Sequence, residues 1–137
     1  MIRPVTTILD GMATSELQAF ERSVRADLPE IVDELRSVLG SKLVAFIAGV
    51  NETRAVHQWA EAGGRRPSST VEQRLKLTFR VAELIASNDG DRVAQAWFQG
   101  LNPRLEDTSP ARVLRDGDLD EAGPRVLAAA RSFVGNA

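Results

Sequence analysis

Apolar residues recur in steps of three and four along almost the whole chain. No segment alternates polar and apolar residues for long enough to form a strand, so the pattern predicts an all-α fold. The first seam runs Leu17, Phe20, Val24, Leu28, Ile31, Leu35, Val38. Such narrow spacing suits a helix face that packs against one partner helix. Pro29 interrupts the seam, and proline is tolerated where a helix is only beginning. Asp27-x-x-Glu30 supplies a capping signature there. The spacing therefore predicts two helices, 15–26 and 28–39, opened by Ser15-x-x-Gln18 and closed by Gly40. One kinked helix that pairs with a second copy is the alternative.

Further helices follow from caps and stops. Ser41 opens a short one through Ala48, ended by Gly49, and Asn51 opens another to about Ala62, ended by Gly63-Gly64. A long helix is predicted from Ser69 to Ala86, and another from Asp89 or Asp91 through Gln99. Ser109 caps a short helix opened by Pro110 and stopped at Gly117. The last, about 120–134, buries Val126, Leu127, Ala130, Phe133 and Val134. Helix 69–86 has a polar stripe (Glu72, Gln73, Lys76, Arg80, Glu83) and an apolar arc everywhere else, which predicts a central position. Arg74 falls inside that arc and needs a carboxylate or backbone carbonyls.

Within this series, residues 43–59 have the logic of a helix-turn-helix. Ala45 permits close helix approach, Gly49 permits the turn, and Val56 with Trp59 anchors the second helix. The turn reads one residue longer than the commonest spacing. Thr53, Arg54, His57 and Gln58 then face outward, chemistry suited to phosphates and base edges, and Arg65 and Arg66 follow. Charge segregates in step with this reading. Residues 41–80 carry Lys42, Arg54, Arg65, Arg66, Arg74, Lys76 and Arg80 against Glu52, Glu61 and Glu72, while both flanks are acidic and the whole chain is at -2. A DNA surface and an internally neutralised fold both fit this distribution.

The chain has 137 residues, enough for one core, with no cysteine and one histidine. Disulfides, thiol nucleophiles, thiolate metal sites and the common zinc sets are excluded. Phosphate-cradling glycine motifs and the Gly-x-Ser-x-Gly elbow are also lacking. We expect no catalytic residues, no metal and no cofactor. Without a long apolar run, a soluble cytoplasmic protein with no membrane association is expected.

The densest information lies in Ala96-Trp97-Phe98-Gln99-Gly100-Leu101-Asn102-Pro103-Arg104-Leu105 and in Pro110–Gly117. A rigid aromatic beside a proline-limited loop suits protein binding, because less entropy is lost on docking. Candidate partner-binding residues are Trp97, Asn102, Pro103, Arg104, Leu105, Arg112, Arg115 and Asp116. Core packing is the plainer role for Trp97, and a bond to its own backbone the plainer role for Asn102.

The Ala-x-x-x-Gly turn, Val56-x-x-Trp59, Gln73-Arg74-Leu75, the Asn102–Leu105 loop, Leu114-Arg115-Asp116-Gly117 and the final Val126-Leu127 helix together resemble the Xre/MbcA/ParS antitoxins. The resemblance spans about 41–134. It implies a helix-turn-helix region (41–80) and a C-terminal toxin-binding module (81–137), and residues 1–40 are an N-terminal helical extension outside it. It further implies a non-catalytic antitoxin that neutralises a RES-domain toxin, an enzyme that destroys NAD. Such a protein is expected to be homo-oligomeric and able to bind operator DNA. A stand-alone helix-turn-helix regulator without a toxin is the alternative.

Overall fold

The segment with the widest apolar arc becomes the centre of the fold. The computed structural model describes residues 5–135, with side chains from Thr14 onward. Its helices are α1 (Val5–Arg25), α2 (Leu28–Leu39), α3 (Ser41–Ala48), α4 (Thr53–Trp59), α5 (Ser69–Asp89), α6 (Asp91–Gln99), α7 (Pro110–Asp116) and α8 (Leu119–Gly135), with a single 3-10 turn at Pro103–Leu105. No strand forms among the described residues; the one β-bridge pairs Asn102 with Thr108. Helix α5 buries Leu75, Thr78, Phe79, Val81, Ala82, Leu84 and Ile85, and α1, α2, α3, α6 and α8 pack around it. One core runs from Leu28 to Val134, so the three sequence segments share an interior. No described helix is long and apolar enough to cross a membrane.

Local chemistry accounts for most boundaries. Ser68 caps α5 by accepting from the Val71 amide, and Ser109 caps α7 by accepting from the Arg112 amide. Gly49 ends α3 at φ 85, a left-handed conformation that glycine adopts without penalty. Arg74 meets its predicted need: Nη1 donates to the Ala48 carbonyl at 3.0 Å, satisfying the exposed end of α3. Helix α4 is shorter than the sequence suggests, starting after Glu52 and stopping at Trp59, with Asn51 outside it. Helix α5 runs on to Asp89, so the turn before α6 is Gly90 alone, at φ 96.

Helix α1 departs most from expectation. It begins at Val5, upstream of the predicted start, and Ser15 is a lateral contact, its hydroxyl 3.0 Å from that of Ser87. Only the α2 half of the apolar seam (Leu28, Ile31, Leu35, Val38) enters the core. In α1, small Ala19 and Ser23 are buried instead, and Leu17, Phe20 and Val24 face out. Polar latches compensate. Arg131 Nε donates to Glu16 at 2.6 Å, and Arg22 pairs with both Glu34 and Glu83 while its guanidinium lies over the Phe79 ring.

Burial pushes the Glu83 carboxyl above its ordinary value, and nearby Glu34 and Asp91 push the same way against the pull of Arg22. The sign follows directly. Stability from a raised carboxyl is fully present below the ordinary glutamate pKa and is lost as pH rises through the raised value. Glu83→Gln should therefore leave stability at neutral pH unchanged or slightly higher, because Arg22 keeps its pair with Glu34. Urea unfolding of the two proteins checks this; a clear drop would refute it.

Candidate functional site

The C-terminal corner starts where Gly100 ends α6 and the chain turns outward. Leu101 is 76% exposed, the most exposed of the large apolar side chains among the described residues. The next seven residues bond among themselves. Asn102 Oδ1 accepts from the Arg104 amide at 2.9 Å, and its backbone carbonyl accepts from the amides of Leu105 and Asp107, both at 2.9 Å. The Asn102 amide then donates to the Thr108 carbonyl. Asn102 is thus the internal staple of the loop, and the plainer role holds for its side chain.

Leu105 has the opposite fate to Leu101. It is 1% exposed and pins the loop to the core, so the expectation that it meets a partner is corrected. Its aliphatic chain is the only large apolar group of the 3-10 turn, and burial is its favourable state. Pro103, Arg104, Glu106 and Asp107 are exposed. Arg104's guanidinium has no partner among the described residues. Glu106 and Asp107 sit at φ 57 and 59, left-handed conformations that cost free energy in residues with a Cβ. The loop is therefore held in one shape at some cost, with Leu101 and Arg104 outward.

Trp97 is half-buried. Its ring meets Phe98 edge-on at 5.2 Å between centroids and tilts against Phe133 at 6.4 Å. It serves the core and retains an accessible edge. Val93, one turn earlier on α6, and Phe133 of α8 are exposed, so the patch near Trp97 is more apolar than the sequence suggests. Phe133 was expected inside with Val126, Leu127, Ala130 and Val134; those four are buried and it is not. Leu101, Val93 and Phe133 gave no motif signal. Only the helix stop at Gly100 hinted that Leu101 leaves the core.

The α7 residues face inward more than expected. Arg115 Nη1 donates to the Phe46 carbonyl at 2.9 Å and its guanidinium stacks on the Phe46 ring, 4.6 Å from the centroid. It fastens α7 to the end of α3, so docking a partner is not its first role. Arg112 also lies over Phe46, at 5.6 Å, and pairs with Asp116 at 3.3 Å. Arg112 and Asp116 remain exposed at the surface.

Along α3 and α4, Ala45, Val56 and Trp59 are buried as the pattern predicts. Arg54, Gln58 and Arg65 line one depression of about 410 Å³ with Val50, Asn51, Glu52 and Ala55. Thr53, at the start of α4, is partly buried. Two residues separate from this set. His57 Nδ1 lies 2.6 Å from Arg36 Nη1, which ties the ring to α2. Arg66 pairs with Glu72, whose carboxyl burial would raise but bonds from Arg66 and Lys76 bring below its ordinary value. The six predicted DNA contacts thus do not converge on one spot. No cluster of three or more potential metal ligands occurs among the described residues.

The fold and this corner define an all-α domain that presents a stapled loop beside an apolar patch. Comparison of the chain with protein-family models, curated proteins and solved structures returns no match.

Proposed function

We propose that this chain is an antitoxin that binds and neutralises a RES-domain, NAD-degrading toxin through its C-terminal corner. The observation that supports it most is the pairing of Leu101 and Leu105. One leucine locks the loop from below while the other, with Pro103 and Arg104, is held out in water. Leaving a large apolar side chain exposed at the entrance to a loop that is internally bonded and strained suits a preformed docking surface. The accessible edge of Trp97, with Val93 and Phe133, supplies an aromatic anchor of the kind that dominates protein interfaces. In this reading the chain itself performs no chemistry, needs no cofactor and acts by occupying its partner.

Co-expression with a RES-domain toxin is the direct test. Growth should recover and the two proteins should copurify; loss of either result overturns the proposal.

The shared depression of Arg54, Gln58 and Arg65 favours a second activity, binding of operator DNA by the same chain or by a regulator without a toxin. Affinity for DNA upstream of the chain's own reading frame should fall with salt. Arg54→Ala and Arg65→Ala should each weaken it about fivefold. Arg66→Ala should change it little, because that side chain is held by Glu72. Gel-shift titrations at two salt concentrations measure this, and equal losses for all three variants would contradict the geometry.

A further inference from the structure

Helix α1 turns its largest described apolar side chains to water: Leu17, Phe20 and Val24 are 55%, 43% and 63% exposed. Their spacing of three and four places them on a single stripe, the a-d-a seam of a two-stranded coil. Unpaired charges of opposite sign border the stripe. Along one side, Arg80 of α5 stacks on the Phe20 ring, 4.8 Å from its centroid. No carboxylate reaches Arg80 among the described residues, and its Nε is buried without a hydrogen bond. Along the other side runs exposed Glu21, which no described cation pairs. Glu16, on the Arg80 side, is already neutralised by Arg131 at 2.6 Å.

We infer that α1 is a homodimer interface, in which a second copy packs its own α1 in parallel, stripe on stripe. The borders decide the orientation. A two-fold axis along the helices brings opposite borders together, so each Arg80 meets Glu21 of the other copy, at the level of Phe20. An antiparallel pairing sets like borders together, Arg80 against Arg80 and Glu21 against Glu21, which is repulsive. Three apolar side chains make a small contact, so a reversible dimer with a dissociation constant of roughly micromolar order is expected. This interface lies outside the corner assigned to the toxin and stands or falls without it.

The full chain is tested alone by sedimentation across concentration. The expected result is a monomer–dimer equilibrium, weakened about tenfold by either Arg80→Glu or Glu21→Arg and recovered when both are combined. Glu21 is exposed, so its variant keeps the test alive if Arg80→Glu fails to fold. Because the chain has no cysteine, Leu17→Cys and Val24→Cys report the orientation. In a parallel dimer each variant cross-links to itself under oxidation, whereas an antiparallel one cross-links only in a mixture of the two. A monomer at every concentration, a dimer indifferent to both charge changes, no recovery in the double swap, or cross-linking only in the mixture each overturns the inference. Binding of anionic vesicles by a chain that stays monomeric likewise overturns it, assigning the stripe to a membrane surface.

Discussion

Leu105→Ala should lower unfolding free energy by about 3 kcal/mol, while Leu101→Ala, four residues earlier, should change it by less than about 0.5 kcal/mol. The two leucines differ only in what surrounds them. Leu105 is 1% exposed and sits in the continuous core. Its truncation loses transfer free energy and leaves a cavity, and the loop above it cannot collapse freely because it is bonded through Asn102. Leu101 has little surface to lose. Under the proposed docking role the order of interest reverses: Leu101→Ala should weaken binding of a RES-domain toxin about 100-fold, the scale of an interface hot spot, in a protein as stable as the parent. Urea unfolding paired with calorimetric titration separates the two effects. If both substitutions cost the same stability and the same affinity, the corner is not divided into a buried foot and a docking face.

Gly117→Ala should cost about 2 kcal/mol or more, for a reason that is not conformational freedom. Its φ is -86, ordinary for any residue. A Cβ placed there would stand 2.7 Å from the Val113 carbonyl oxygen and 2.9 Å from Ala122 Cβ. One obstacle is backbone of α7 and the other is the first turn of α8, so neither can rotate aside. The two helices would have to part, disturbing buried Leu114 and Val126. Thermal unfolding measures this directly, and a fall of under one degree would show that the junction yields more easily than its spacing implies.

How much of this was legible in the sequence depends on whether the deciding interaction was local. Ser68, Ser109, Gly40 and Gly49 mark their boundaries through bonds to near neighbours, and those boundaries were readable. Arg74 was placed correctly because burying a charge demands a partner, although the partner itself, Ala48, lies 26 residues away. The seam divides between a buried α2 half and an exposed α1 half because periodicity identifies a stripe without saying what covers it. Small Ala19 and Ser23 gave α1 a closer approach to α5 than Leu17 and Phe20 would permit. At the corner, the Asn-Pro and Asp-Gly punctuation located the loop, but Leu101 and Leu105 look alike on paper. Arg115 reads as outward because its partner, the Phe46 carbonyl, lies far away in sequence; His57 is exposed as the pattern predicts, and only its contact with Arg36 escapes the pattern.

The consecutive left-handed residues Glu106 and Asp107 carry one more consequence. Glycine at either place would relieve the torsional load and firm up the folded chain, yet it would also enlarge the repertoire of shapes open to the bend. Thermal robustness and fidelity of the presented contour are thereby set in opposition at these two sites. A variant chosen solely for heat resistance would be drawn toward a slacker bend.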